Sequence, residues 1–262
     1  MNKRLFACAD LPRTGLCNML NPWARAYLWS KANDCQMLAP NWVKIFRIGP
    51  WLRMEKDKRY YWGQFTNDGY VGGLKKWMIL LRYEKVPEAL MSAGMESCVV
   101  VFSGQGRDIL DFADQAQFLR EELYRIAAPT IKLRLKELPS KFIGVHIRRG
   151  DFKVIGQTLS ADYYCSAISS ALKICGSIPI LVSSDALESE LSYLRRFSNL
   201  QILKANPALQ DVLTLSRASC LVCTNGSSFS EWSAFLGGMR SIWSKDGRVV
   251  NKEKFLGETL FV

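Results

Sequence analysis

The sequence predicts an α/β protein built on parallel sheets. Residues 5–38 read strand, loop, helix, strand. The half beyond residue 140 alternates short apolar runs with helix-like segments, and Gly- or Ser-containing turns follow several of those runs. Strands that alternate with helices imply a parallel sheet covered on both faces. Such sheets bind ligands outside the carboxyl ends of their strands.

The elements follow in order. Leu5–Ala9 is an apolar strand, and Asp10–Gly15 is a turn. From Leu16 to Ala32, the apolar residues Leu16, Met19, Leu20, Trp23 and Tyr27 keep a three-four spacing, which predicts a helix. Pro22 must be tolerated near its start or kink it. Cys35–Leu38 is the next strand. Asn41–Tyr83 is harder to assign: it is rich in Trp, Lys and Arg, with glycines at 69, 72 and 73. Ser97–Phe102 reads as a buried strand. Helices over Phe112–Ala127 and Thr130–Leu138 divide at Pro129. A domain boundary is expected near Pro139, giving an N-terminal domain over 1–139 and a C-terminal domain over 140–262.

In the C-terminal half, Phe142–Ile147 is a strand. Ser160 opens a helix to Ile174, with Asp162 in its first turn. Ile180–Ser183, Leu200–Leu203 and Cys220–Thr224 read as strands. Ala186–Phe197, Pro207–Ala218 and Ser227–Gly237 read as helices, the last ending at Gly237-Gly238.

Composition narrows the function. The 262 residues carry 35 Lys and Arg against 24 Asp and Glu, a net charge of +11, which favours an anionic partner. No run approaches the ~18 apolar residues of a membrane span. The run Leu5–Ala9 stops at Asp10, too short for the core of a secretion signal. The chain therefore reads as cytoplasmic, or peripheral on the inner face of a membrane. Most of the 8 Cys read as buried thiols. Cys220-Leu-Val-Cys223 has zinc-like spacing but no second ligand pair, so no metal site is expected.

Three turns hold the candidate chemistry. His146-Ile-Arg148-Arg149-Gly-Asp151 follows an apolar strand. Adjacent guanidiniums repel unless an anion lies near them, and the planar Arg fork matches a diphosphate. A surface salt-bridge cluster is the plain alternative. Thr224-Asn-Gly-Ser227-Ser228-Phe229-Ser230 joins a strand to a helix, where backbone N–H groups form a phosphate cradle. It also suits an ordinary Ser cap. Thr14-Gly15-Leu-Cys17-Asn18 opens the first helix in the same way. Ser183-Ser184-Asp185 ends a strand with a carboxylate fit to accept from a base or to cap a helix. Arg149-Gly-Asp151 also spells an adhesion tripeptide, and Asn225-Gly-Ser227 a glycosylation sequon; both read as chance.

Together these pieces resemble the α-1,2-fucosyltransferases, within the GDP-fucose-dependent enzymes that share a His-x-Arg-Arg-x-Asp motif. That motif is His146 to Asp151 here. A Ser-x-x-Tyr-Tyr helix start is matched by Ser160-Ala-Asp-Tyr163-Tyr164, and a Ser-Asp strand end by Ser184-Asp185. A segment near Asn-Ser-Ser-Phe-Ser-Trp-Trp is matched by Asn225 to Trp232. The family's Gly-Gly-Leu-Gly-Asn-Gln loop is similar to Thr14 to Met19. The pieces keep the family's order, covering the C-terminal half and loosely the first ~40 residues. Thr14 and Cys17 stand where the family has glycines, and Glu231 where it has the first Trp of a pair, a change expected to alter sugar or acceptor selectivity.

The resemblance implies two Rossmann-like domains facing a cleft, the glycosyltransferase B architecture. It implies inverting transfer of L-fucose, or a related 6-deoxyhexose, from a GDP-sugar to an oligosaccharide or lipid-linked glycan, in surface polysaccharide synthesis. Arg148, Arg149 and Asp151 would be catalytic, with Arg148 taking the larger share. His146, Asp185, Ser227, Ser228, Phe229, Gly15, Cys17 and Asn18 would hold the donor, Asp185 reading guanine. With no Asp-x-Asp in the chain, no metal is expected; the arginines and a helix end would neutralise the leaving diphosphate. Asp10, Asp68, Asp151 and Glu231 are the candidates for general base. The Trp-rich segment reads either as core Trp with solvated cations or as a membrane-surface patch. The competing readings are a nucleic-acid-binding protein, for which no recognised module is visible, and a non-catalytic ligand-binding protein of the same fold.

Overall fold

The structure is a computed structural model that describes residues 4–43, 60–92, 97–104, 109–203, 206–246 and 257–262. They form two compact units.

The first unit is built from β1 (Arg4–Asp10), α1 (Leu16–Ala32), β2 (Gln36–Leu38), α2 (Gly73–Arg82), β3 (Glu84–Pro87) and β4 (Ser97–Ser103). Its sheet has the order β2-β1-β4-β3, and every pairing is parallel. Phe6, Leu38 and Val99 meet Val71 and Ile79 in one apolar cluster. Pro22 lies inside α1 without ending it. Beside it, fully buried Trp23 stacks on Tyr27 at 5.9 Å and donates its ring N–H to the Tyr70 hydroxyl. The Trp-rich segment divides. Trp42 is core: it is buried, stacks on Phe65 at 3.9 Å and donates to Asn67 Oδ1. Trp62 is exposed. Residues 44–59, which hold Trp51 and most of the segment's cations, lie outside the described residues.

The second unit begins with α3 (Ala116–Arg125) and α4 (Pro129–Lys136). It continues through β5 (Ile143–Ile147), the short α5 (Gly150–Val154), α6 (Ala161–Cys175), β6 (Ile180–Ser184) and β7 (Leu200–Ile202). It ends with α7 (Ala208–Leu215), β8 (Cys220–Val222), α8 (Ser228–Gly237), β9 (Arg240–Trp243) and β10 (Thr259–Phe261). The sheet order is β10-β9-β8-β5-β6-β7, all parallel. Counted from β5, this is the 3-2-1-4-5-6 order of a dinucleotide-binding sheet. The chain leaves β5 toward β6 and β7, then returns to the other side at β8. The crevice between β5 and β8 is therefore the switch point where such sheets bind ligands.

Apolar residues on both faces of the central strands explain the layering. Ile143, Val145, Ile147, Val182 and Val222 pack against Tyr164, Ala167, Ile168 and Ala171 of α6. Ser160 caps α6 by accepting from the Tyr163 N–H at 3.1 Å, as its sequence signals. Gly238 closes α8 at φ 62°, the left-handed position that favours glycine.

The structure departs from the sequence reading in four places. The contact units separate between residues 104 and 109, not at Pro139. Helices α3 and α4 join the second unit because they pack on α8 and α7, and Arg217 donates to the Leu135 carbonyl at 3.0 Å. The expected helix over Ala186–Phe197 is a 3₁₀ helix, Glu188–Arg196. Its buried Leu191 and Leu194 are three apart, the period of a 3₁₀ turn. The first turns of the expected Phe112–Ala127 helix are also 3₁₀, over Ile109–Gln115. Finally, α2, β3, β9 and β10 were not expected, because their patterns are short or interrupted by charge.

Gly144 has a packing reason. A Cβ there would lie 3.0 Å from Ala218 Cβ and Leu221 Cδ1, and 3.1 Å from Leu215 Cδ2. We expect Gly144→Val to lower unfolding free energy by about 1–3 kcal/mol through overpacking, measured by urea denaturation. Wild-type stability in that variant would show that α7 yields freely against β5.

Candidate active site at the sheet switch point

The site starts from a backbone problem. Where β5 and β8 end and diverge, their ladder stops and its polar groups need other partners. One side chain meets the need. Thr224 Oγ1 donates to the His146 carbonyl at 2.8 Å and lies 3.1 Å from the Arg148 N–H and 2.8 Å from the Tyr164 hydroxyl. A hydroxyl has one proton and two lone pairs. The proton goes to His146, so Arg148 and Tyr164 both donate to Thr224, and the oxygen is saturated. The Thr224 N–H in turn donates to Ser230 Oγ at 2.9 Å. Tyr163 donates to the carbonyls of Cys223 (2.7 Å) and Ile242 (3.1 Å), tying α6 to the same strand ends.

His146 is the last polar residue before the turn and is buried. Its Nδ1 is 2.7 Å from Ser230 Oγ, and its ring stacks on Phe229 at 4.7 Å. Burial, and then the nearby Arg148 cation, lower its pKa from 6.5 to about 3. The imidazole is neutral at physiological pH, which suits a contact surface and not a proton-accepting base.

Arg148 emerges at the carboxyl end of β5, held by two carboxylates. Its Nη2 is 2.8 Å and its Nε 2.9 Å from Asp151 Oδ1, while Nη1 is 2.9 Å from Asp185 Oδ2. Asp185 Oδ1 accepts the Arg149 N–H at 2.7 Å. The anions between the two arginines are thus the protein's own. Both carboxylates of this cluster hold arginine, including Asp185, to which the resemblance gave the guanine. A Cβ at Gly150 would come 2.6 Å from Asp185 Oδ2, so a larger residue there forces Asp185 to shift. Arg149 turns toward Tyr193 and Glu190, and its buried Nε has no hydrogen-bond partner.

The rest of the turn is α8. Ser227 is its buried N-cap, and its hydroxyl makes no cap bond. Ser228, Phe229 and Ser230 form the first turn, whose N–H groups have no partner within the helix and favour an anion. Each residue of the Ser-Ser-Asp strand end has an internal task. Ser183 donates to Asp211 Oδ2 (2.6 Å), Ser184 donates to the Ile147 carbonyl (2.8 Å), and Asp185 holds the arginines.

The second unit thus brings together His146, Arg148, Arg149, Asp151, Asp185, Ser227, Ser228 and Phe229. Gly15, Cys17 and Asn18 lie in the first unit, at the start of α1. Gly15 caps α1 with extended backbone, and nothing lies within 4 Å of where its Cβ would be. Cys17 is buried, so only its backbone remains available there. Of the candidate bases, Asp151 is paired with Arg148, Glu231 lies in the first turn of α8, and Asp10 and Asp68 are in the first unit.

Thr224 and Ser230 stand in the expected turn and Tyr164 in the matched helix start, but none of the three had an individual role there. Thr224 directly follows a strand and Ser230 stands six residues on, a local signal, but their bonds to β5 join residues far apart in sequence. Other motifs resolve as structural. Asn225 exchanges bonds with Ser244, donating to its carbonyl (2.8 Å) and accepting its N–H (3.0 Å), so the sequon amide is used internally. Cys220 and Cys223 are buried, and burial pushes Cys220 up to about 12 and Cys223 well above the ordinary thiol range, so both stay protonated thiols.

The His146 shift has a consequence for stability. Between pH 6.5 and about 3 the unfolded chain binds a proton at this imidazole and the folded chain does not. Stability from this residue is therefore present above pH 6.5 and falls as pH drops toward 3. We expect urea titrations at pH 7 and 4.5 to show a smaller pH-dependent loss for His146→Asn than for wild type. Equal losses would mean that another group carries the dependence.

The sequence profile of glycosyl transferase family 11 matches residues 32–254. No curated protein matches the chain by sequence. Solved structures share its fold. POFUT1 in complex with GDP aligns at TM-score 0.56 with 10% identity, covering 100% of this chain and 98% of that one. NodZ α-1,6-fucosyltransferase soaked with GDP-fucose aligns at 0.57 with 13% identity, covering 90% and 93%. Fucosyltransferase NodZ from Bradyrhizobium aligns at 0.55 with 14% identity, covering 89% and 93%. The two parallel α/β units are the glycosyltransferase B architecture that the resemblance implied. The profile spans most of the chain, and the chain belongs to glycosyl transferase family 11, a glycosyltransferase built on the fold of these fucosyltransferases.

Proposed function

We propose that the protein moves L-fucose, or a related 6-deoxyhexose, from a GDP-sugar to a glycan hydroxyl, with inversion and without a metal, in the synthesis of a surface polysaccharide. The observation that carries this reading is the Arg148 guanidinium, held by Asp151 and Asp185 beside the first turn of α8 at the switch point.

In the reaction, the acceptor oxygen attacks the anomeric carbon from the face opposite the diphosphate. The bond from that carbon to the phosphate oxygen breaks, and its electron pair leaves on GDP. The acceptor proton passes to a general base or to water. Charge develops on the leaving oxygen, so fixed cations and helix N–H groups are worth most there. Arg148 is oriented before substrate arrives, and its two carboxylates limit its reorganisation. A diphosphate binding here competes with Asp151 and Asp185 for the same donors. His146 and Phe229 offer a stacked, neutral surface next to that cation. Asp151 and Asp185 act as positioning residues. The acceptor is an oligosaccharide or lipid-linked glycan, and the protein works at the cytoplasmic side of a membrane.

The test begins with melting in EDTA with GDP, UDP, CMP or ADP. GDP at 100 times its dissociation constant adds ~2.7 kcal/mol. At roughly 2–4 °C per kcal/mol, the midpoint rises by several degrees, and the other nucleotides leave it unmoved. A shift with UDP alone would discard fucose. Transfer from GDP-fucose should persist in EDTA. Arg148→Ala should cost about 10²–10³-fold or more in turnover while the melting point stays near wild type. Undiminished transfer by that variant would remove the assignment. We further expect Gly150→Ala, which pushes Asp185 away from Arg148, to slow turnover by about 10²-fold with little change in stability.

A further inference from the structure

Helix α2 presents an apolar stripe to solvent. Leu74, Trp77, Met78 and Leu81 are spaced i, i+3, i+4 and i+7, which puts them on one face. They are exposed to 75%, 65%, 54% and 86%. A helix of a globular protein ordinarily turns such a stripe inward. Here only Ile79, on the other side of the helix, is buried.

Charge lies along one edge of the stripe. Lys75 and Arg82 follow Met78 around the helix. Lys76, on the far side, instead donates to the Ala39 carbonyl at 2.6 Å. Beside Met78 opens a cavity of about 680 Å³ whose charged lining is Arg4, Lys75, Arg82 and Asp34, three cations against one carboxylate. Tyr83 forms part of its wall and lies under the Arg82 guanidinium at 6.0 Å.

We propose that α2 is a docking surface for an anionic lipid bilayer. Its stripe rests at the boundary between headgroups and acyl chains, and Arg4, Lys75 and Arg82 meet lipid phosphates at the adjoining cavity. Large apolar residues with flanking cations on one short helix are the pattern of an interfacial helix. Its 10 residues span about 15 Å, so it lies along a membrane and does not cross one. Among the described residues, no helix is long and apolar enough to cross a membrane. A second copy fits this face poorly. A symmetric pairing would set Lys75 and Arg82 against their own counterparts, in a chain of net charge +11. The proposal needs neither donor nor acceptor, so it stands apart from the transferase reading.

The test is co-sedimentation of the full chain with vesicles of phosphatidylglycerol and phosphatidylcholine, against phosphatidylcholine alone, at low and high salt. We expect binding to the anionic vesicles that weakens with salt. Lys75→Ala with Arg82→Ala should weaken it about thirtyfold, at ~1 kcal/mol per cation. Trp77→Ser with Leu81→Ser should weaken it by about tenfold or more. These side chains are exposed, so both double variants should melt at the wild-type temperature and keep the wild-type response to GDP. Equal binding to neutral and anionic vesicles would overturn the proposal, as would variants that bind like wild type. So would a dimer in sedimentation equilibrium that Trp77→Ser with Leu81→Ser splits while vesicle binding persists, since the face would then belong to a second copy.

Discussion

The hydroxyl of Thr224 holds the site open and ordered. A parallel sheet that changes direction leaves strand ends without ladder partners at the very point where a ligand must enter. Thr224 Oγ1 uses its one proton and both lone pairs on His146, Arg148 and Tyr164. Those three bonds fix the backbone from which Arg148 departs and link β5, β8 and α6 at one atom. An Ala there would take this partner from the buried His146 carbonyl and the buried Tyr164 hydroxyl, each loss costing about 1–3 kcal/mol. Ser230 repeats the device one turn into α8, accepting the Thr224 N–H while lying 2.7 Å from His146 Nδ1.

On that frame the protein's own charges set the electrostatics of the turn. Two adjacent arginines are tolerated because Asp151 and Asp185 stand among them. The carboxylates offset the repulsion and aim one guanidinium, and Gly150 leaves the room they need. His146 contributes shape instead of charge, since a second buried cation beside Arg148 would be costly and the ring sheds its proton. The motif His-x-Arg-Arg-Gly-Asp is therefore one unit in which each polar member limits what its neighbour can do.

The first unit solves a different problem. Its parallel sheet buries Phe6, Leu38 and Val99 against Ile79, so α2 has one face in the core. Its other face keeps four large apolar residues in water, a cost that a stand-alone fold has no use for. Apolar spacing around 74–81 does not by itself tell a buried face from an exposed one. Only exposure reveals that the stripe points outward.

Much was legible in the sequence because it is local. Apolar runs bounded by turns marked β1, β4, β5, β6 and β8, the Ser160 cap and the Gly238 stop marked helix ends, and the Arg pair after a strand marked the turn at the sheet switch point. What sequence could not decide depended on distant partners. The pairing of Asp185 with Arg148, 37 residues away in the chain by number and 2.9 Å away in space, is invisible in the local sequence. Helices α3 and α4 read as the end of the first half until they pack on α8 and α7. The sequence by itself determined the strands and helices whose apolar period is unbroken, since burial on one or two faces imposes a period that residues must obey; α2, β3, β9 and β10 escaped it. Tertiary structure alone decided which charges neutralise each other and which apolar face stays wet, because both follow from distances that no spacing along a chain encodes.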